Sequence, residues 1–379
     1  AKMSRIDSGL PRKVHTRTIT KEQQTASRYV PHQYLQFAKL GKASQKEEQP
    51  ITSAEGPNSP KHFNIGTAVK FAEIDGSGRV VALDESMFIH YYGINGKILS
   101  ANTLSDFTHE PTFISRIGGE QLLCVANAKH IIIYAPTGAT AFHLEPKGNY
   151  NFRSIPVFAR VKSKDYLLVG ANDGTIYWYN TSNGKVERQT KISSNKSIEK
   201  IAFWTSGGKG FIGATYGTQF HMINAETNKP FRNFAIGQTV GAALVKNDFK
   251  QVVFERNQVR IINQKGGATS LALLNGFTTV RPLDAAQTNY IACDGANRFV
   301  AFNISGEIIL DRTLTGTTID QFSATQRPDQ SILVACLDEL NNKIKLVNLS
   351  TEQSLLTDDL NGSGKVLLHA NGKSVFLYT

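Results

Sequence analysis

Cysteine, methionine and tryptophan are scarce in this chain, at three, three and two residues in 379. Cys124, Cys293 and Cys336 are odd in number and widely spaced, and each sits inside an apolar run (LLCVA, YIACD, ILVAC). A disulfide framework needs paired, dense cysteines, so the expectation is small buried thiols. No run approaches the ~18 apolar residues of a membrane-spanning helix. The opening AKMSRIDSG has no apolar stretch of the signal-peptide kind. Two alternatives are expected: a leader removed before Ala1, or none, with Ala1 following a removed initiator Met. The first alternative implies a periplasmic or secreted protein, the second an intracellular one. Catalytic signatures are missing as well. There is no Gly-x-Ser-x-Gly, no phosphate-binding glycine loop and no His-Glu-x-x-His. Gly-Ser-Gly-Lys at 362–365 lacks the upstream glycine and leads into a strand-like run, so it reads as a turn.

Charge is present but uneven. The chain carries a net +11. Residues 1–46 hold ten Lys/Arg against two acids, a net +8, which leaves +3 for the other 333 residues. The basic character belongs to the N-terminal arm. Residues 1–60 are polar, poor in hydrophobic periodicity and interrupted by Pro11, Pro31, Pro50, Pro57 and Pro60. Only Tyr29–Leu40 has the aromatic and apolar content to dock on something, and 41–60 reads as a linker. Hydrophobic content of 40% and charged content of 19% suit a folded body over 61–379.

That body contains no convincing amphipathic helix. Short β-type runs recur every ~8–12 residues with turn residues between them, the pattern of an all-β sandwich, barrel or propeller. An internal repeat decides between these. A strand ending in an aromatic or branched residue before a polar turn occurs seven times. Its anchors are Tyr92, Tyr134, Tyr179, Ile223, Ile262, Phe302 and Val347, spaced 42, 45, 44, 39, 40 and 45 residues apart. Such a period accommodates four strands of about five residues and four turns. A four-stranded meander cannot bury both faces alone, whereas copies packed radially can. The expected fold is a β-propeller of four-stranded antiparallel blades. Residues 365–379 supply two further strands and His62–Ile65 another. The count favours eight blades, the last closed by both chain ends, with seven plus an accessory hairpin as the alternative.

The sharpest copy is YLLVGANDGTIYWYNTSNGK, residues 166–185. Asn172-Asp173-Gly174 reads as a tight turn between runs at 166–171 and 175–180, because Asp-Gly supplies the positive φ that a two-residue hairpin needs. Gly170, Asp173, Gly174, Gly184 and Lys185 resemble the repeat of the pyrroloquinoline-quinone-like propellers, within the broad PQQ-like and WD40-like superfamily. The resemblance implies a ring scaffold of the kind used in envelope assembly factors and multi-subunit machines. Quinoprotein members carry a Trp after the Gly-Lys, where this chain has Val186, and a vicinal cysteine pair, which it lacks. No cofactor is therefore expected.

Other candidate sites have plain structural readings. Asp75-Gly76-Ser77-Gly78 offers too few oxygens at alternating positions for a calcium loop and reads as a hairpin turn. Ile176 and Trp178 should point to one face of their strand, Tyr177 and Tyr179 to the other, all packing between blades. None of the nine histidines lies at His-x-His or His-x-x-x-His spacing or beside a cysteine. A metal site would have to assemble across blades, and none is assigned. The functional signal is the arm. Arg5, Arg12, Lys13, Arg17, Lys21 and Arg28, with Tyr29, Tyr34 and Phe37, are the expected partner-binding residues. The expectation is a non-catalytic scaffold joining protein subunits within a larger assembly and tethered by the arm. The rival readings are a quinoprotein-like or channel-site enzyme, and a nucleic-acid binder whose cations meet phosphates while its aromatics stack on bases. A targeting or acidic-surface role for residues 1–46 also fits the charge.

Overall fold

The computed structural model describes residues 61–65, 68–75, 77–93, 96–102, 107–284, 286–315, 321–338, 340–359, 364–368 and 374–378. The arm and linker at 1–60 lie outside the described residues. Within them, the chain is a β-propeller of seven four-stranded sheets, each a consecutive meander. The blades span 69–102, 107–144, 157–191, 200–235, 239–270, 279–313 and 321–359. The sole helical element among the described residues is a one-turn 3-10 segment, Ala272–Leu274. No described helix is long and apolar enough to cross a membrane.

The first strand of each blade is innermost. Phe107–Ser115 lies against both Val69–Ile74 and Val157–Val161, and Thr239–Val245 lies against Thr279–Pro282. Fourth strands face solvent, and Lys229–Ala235 and Ala268–Ser270 are exposed almost throughout. Strand alternation sends the two faces of each blade to different neighbours. In blade 3, Ile176 and Trp178 join a cluster with Ile201, Phe203 and Ile212 of blade 4. Tyr177 and Tyr179, one residue out of phase, join Ile131, Ile133 and Leu144 of blade 2. Each seam between consecutive blades, from the first to the seventh, is filled by such a cluster. Every fully buried Val, Leu, Ile or Phe there contributes roughly 1.5–3 kcal/mol over its exposed state. The ring is thus held by surfaces that no single blade could cover.

The seven anchors all fall on third strands. Six of them mark a further regularity. At Tyr92, Tyr134, Tyr179, Ile223, Phe302 and Val347 the pairing with the fourth strand slips by one residue. The extra outer-strand residues are Ile98, Ala141, Glu187, Phe231, Ile309 and Leu355. Such bulges bend the outermost strand and raise its twist, which blunts an edge that would otherwise recruit another strand.

One expectation needs correction. The structure has seven blades, not eight. What remains after blade 7 is two strands, Gly364–Leu368 and Ser374–Tyr378, and Lys61–Asn64 joins the second of them in parallel. Three strands with one parallel pairing do not make a four-stranded antiparallel meander. The turn expected at Asn172-Asp173-Gly174 is where the structure has it. Ala171 and Thr175 close it, so three residues form the loop, and Gly174 at φ +76° takes the left-handed position.

The cysteines fall where expected, as buried thiols on the second strands of blades 2, 6 and 7. Burial pushes the Cys293 thiol up to about 12 and the Cys336 thiol to about 11. The Asp75 loop is a turn. Its carboxylate accepts the backbone N–H groups of Ser77 and Arg79 and pairs with the Arg79 guanidinium at 2.8 Å.

Candidate functional site

The expected partner-binding residues, Arg5, Arg12, Lys13, Arg17, Lys21, Arg28, Tyr29, Tyr34 and Phe37, all lie outside the described residues. Within the ring, two surface features stand out.

The first is a cleft on blade 4. The outer strand bulges between Pro230 and Arg232, and the extra residue, Phe231, is left 48% exposed. Its ring sits 5.7 Å from that of Phe211 on the second strand. Phe211 in turn lies 5.9 Å from the buried Trp204, so the outer aromatic is braced from beneath. Lys209, Lys229, Asn224 and Thr227 complete the lining. An apolar floor with cations on its walls suits an acidic segment that carries an apolar side chain.

The second is a cluster of ligand-type side chains on blade 2. Asn127 ends the second strand, and its side-chain oxygen accepts the backbone N–H groups of Lys129 and His130 at 2.9 and 2.7 Å. This fixes the turn into the third strand, Ile131–Tyr134. The register Ile131↔Leu144 and Ile132↔His143 then brings His130 beside Glu145. His143 and Glu145, two residues apart, share one face. His130 Nδ1 lies 3.1 Å from His143 Nε2 and 3.3 Å from Glu145 Oε1, and the remaining side of the triangle is 3.7 Å. Burial, and then the neighbouring His143, hold the His130 imidazole below its ordinary value, while Glu145 pulls the other way. Glu145 is also fixed across the seam. Its carbonyl accepts the Tyr179 hydroxyl of blade 3 at 2.9 Å, and that hydroxyl is 2.7 Å from the Tyr150 hydroxyl. Histidine spacing did not reveal this group. His143-Leu144-Glu145 on a strand was the available signal, whereas His130 joins only through a hairpin register.

A third group bears on stability. Buried His90 of blade 1 places Nε2 2.8 Å from Asp84 Oδ2, and its Nδ1 is buried without a hydrogen-bond partner. Burial, outweighing the help from Asp84, lowers its protonation below the usual histidine range. His221, on blade 4, is lowered by burial too. In the folded state these rings take up protons less readily than in the unfolded chain, whose histidines protonate as pH falls through about 6.5. Stability is therefore full above that value and declines below it. Each unit of displacement carries about 1.4 kcal/mol. The melting temperature should fall between pH 7 and pH 5, and the fall should shrink in His90→Gln. Carboxylates contribute in a separate window. Asp165 and Asp311 are depressed by the Arg160 and Arg298 guanidinium groups, so their share is lost only as pH falls below about 4. Equal pH slopes for the wild type and His90→Gln would count against the assignment.

No protein-family model matches the chain, and no curated protein matches it. The topology defines the class of protein on its own: a seven-bladed β-propeller. Several solved structures are similar to it. BBS1N, crystallised in complex with ARL6DN, shares 15% identity over 71% of this chain and 88% of its own, at a TM-score of 0.49. BamB from Moraxella catarrhalis shares 14% over 73% and 82%, at 0.45. The computationally designed Ika8 protein shares 14% over 83% and 96%, at 0.49. Similarity at these levels extends to the fold alone.

Proposed function

We propose that the protein is a non-catalytic propeller scaffold that holds protein subunits within a larger assembly, tethered by its basic arm. The observation that carries the reading is the blade 4 cleft. In a ring whose other aromatics are mostly buried, Phe231 is held out at a bulge between Lys209 and Lys229. Phe211 and Phe231 give the cleft its apolar surface and Lys209 and Lys229 its positive charge, which suits an acidic segment carrying an apolar side chain. The +8 arm supplies long-range attraction to an acidic partner, which raises the rate of encounter more than the final affinity.

We also read the three-stranded terminal sheet, built from both ends of the described chain, as the element that closes the ring between blades 7 and 1. Its strand Gly364–Leu368 lies against Val69–Ile74 of blade 1 and against Gln321–Gln326 and Ile332–Asp338 of blade 7. The faces that blades 1 and 7 turn away from their other neighbours are buried, as closure requires.

Deleting residues 1–40 tests the tether. The truncated chain should keep its melting temperature and remain soluble, yet no longer co-sediment with the assembly that the intact chain joins. Normal assembly of the truncated form would end the tethering role. Binding that nuclease abolishes, with affinity falling steeply as salt rises, would instead make the arm a nucleic-acid binder.

A further inference from the structure

We propose that His130, His143 and Glu145 form a three-ligand site for a zinc-class divalent cation, with a fourth position left to solvent. The site is independent of the scaffold reading and of the arm. Zinc takes imidazole nitrogen and carboxylate oxygen at about 2.0–2.2 Å in tetrahedral geometry, which places neighbouring ligand atoms about 3.3–3.5 Å apart. The three atoms here are separated by 3.1, 3.3 and 3.7 Å. They already outline one face of such a tetrahedron, and a cation at its centre needs only small side-chain adjustments.

The chemistry of the set selects the metal. Two imidazoles and one carboxylate suit zinc and its transition-metal neighbours. Calcium and magnesium are hard cations that take oxygen ligands, so a set with two imidazole nitrogens among its three donors suits neither.

The scaffold holds the triangle from two sides. The Asn127 side chain pins the backbone at His130, and the Tyr179 hydroxyl of blade 3 pins the carbonyl of Glu145. Support of this kind at the positions flanking the ligands keeps them converged without a metal. The site also has an open side. The His130 side chain is only 9% exposed, but those of His143 and Glu145 are 24% and 47% exposed. A cation can enter from solvent and keep a water in the fourth position.

The full chain should be stripped with chelator, dialysed and titrated with ZnCl2 by calorimetry, with bound metal counted by mass spectrometry. One tight zinc per chain is expected. His143→Ala and Glu145→Gln should each weaken it by roughly tenfold or more, since loss of a supporting group alone costs 10–100-fold. His221→Ala, which removes a histidine of blade 4, should leave it unchanged. His130 is too buried to serve as a clean variant. Glu145→Gln keeps the shape of the side chain and so separates lost ligation from lost folding, which circular dichroism checks. Co2+ in place of zinc should give the intense visible bands of a four-coordinate nitrogen and oxygen site without thiolate charge transfer. Absence of tight zinc, affinity unmoved by both variants, or the weak spectrum of six-coordinate Co2+ would overturn the assignment.

Discussion

Trp204→Ala should cost roughly 3–5 kcal/mol, the range for removing a large aromatic from a packed core. Trp204 lies on the innermost strand of blade 4 and is 1% exposed. Its indole stacks on Phe249 of blade 5 at 3.9 Å with the planes 3° apart. The pair sits at the centre of the seam between these blades, among Phe220, Met222, Ala242 and Val253. In a radial array, stability comes largely from such neighbour contacts, so the void should loosen two blades at once. Trp204→Phe gives a sharper contrast. The indole N–H is buried without a hydrogen-bond partner, and an unsatisfied buried donor costs about 1–3 kcal/mol. Phenylalanine keeps a ring on Phe249 and removes that donor, so its penalty should be less than half that of alanine. Urea unfolding followed by far-UV circular dichroism is the measurement, since fluorescence would lose one of its two tryptophans. An alanine penalty below about 1 kcal/mol would mean that the seam is not packed as described.

The ring was legible in the sequence because its driving force is periodic. Anchors near every forty-second residue reported a repeated burial problem, and each anchor does lie on a third strand. Alternation at Ile176, Tyr177, Trp178 and Tyr179 assigned the blade faces correctly, because strand geometry leaves a side chain no other choice. The blade count was less legible. The runs at 61–64, 364–368 and 374–378 look like blade strands locally, but the partner and direction of an edge strand depend on the far end of the chain. The bulges were hidden as well. A one-residue slip at Tyr134 or Ile223 leaves no compositional trace, yet it is what pushes Phe231 outward. The same blindness to register concealed the His130, His143 and Glu145 cluster. His130 and Glu145 are fifteen residues apart, and only the pairing of Ile131 with Leu144 makes them neighbours. The arm is the reverse case. Its charge is plain in composition, and charge alone does not say whether protein or phosphate answers it.

Gly174→Ala should be far more damaging than Gly184→Ala, although both glycines belong to the repeat that the sequence displays. Both adopt left-handed backbone, at φ +76° and +68°. An L-residue pays roughly 1–2 kcal/mol for that conformation. Their surroundings differ. A Cβ at Gly184 meets nothing within 4 Å, so the conformational cost is the whole cost. A Cβ at Gly174 lands 2.1 Å from the carbonyl oxygen of Ser193 and 2.7 Å from its carbon. Those are backbone atoms, and no rotamer change can move them. They also cannot simply withdraw, because the Gly174 carbonyl accepts the N–H groups of Ile192 and Ser193 at 2.9 and 3.1 Å. The close approach is how the segment after the outer strand of blade 3 returns to the turn between its second and third strands. Relieving the clash means breaking one or both of those bonds, each worth about 0.5–1.5 kcal/mol net, on top of the conformational cost. Gly174→Ala should therefore lose roughly twice the stability that Gly184→Ala loses, or more, read as the shift in urea midpoint under identical conditions. If the two variants unfold together, the tight return at Ser193 is not a feature of the folded protein, and Gly174 serves only the turn.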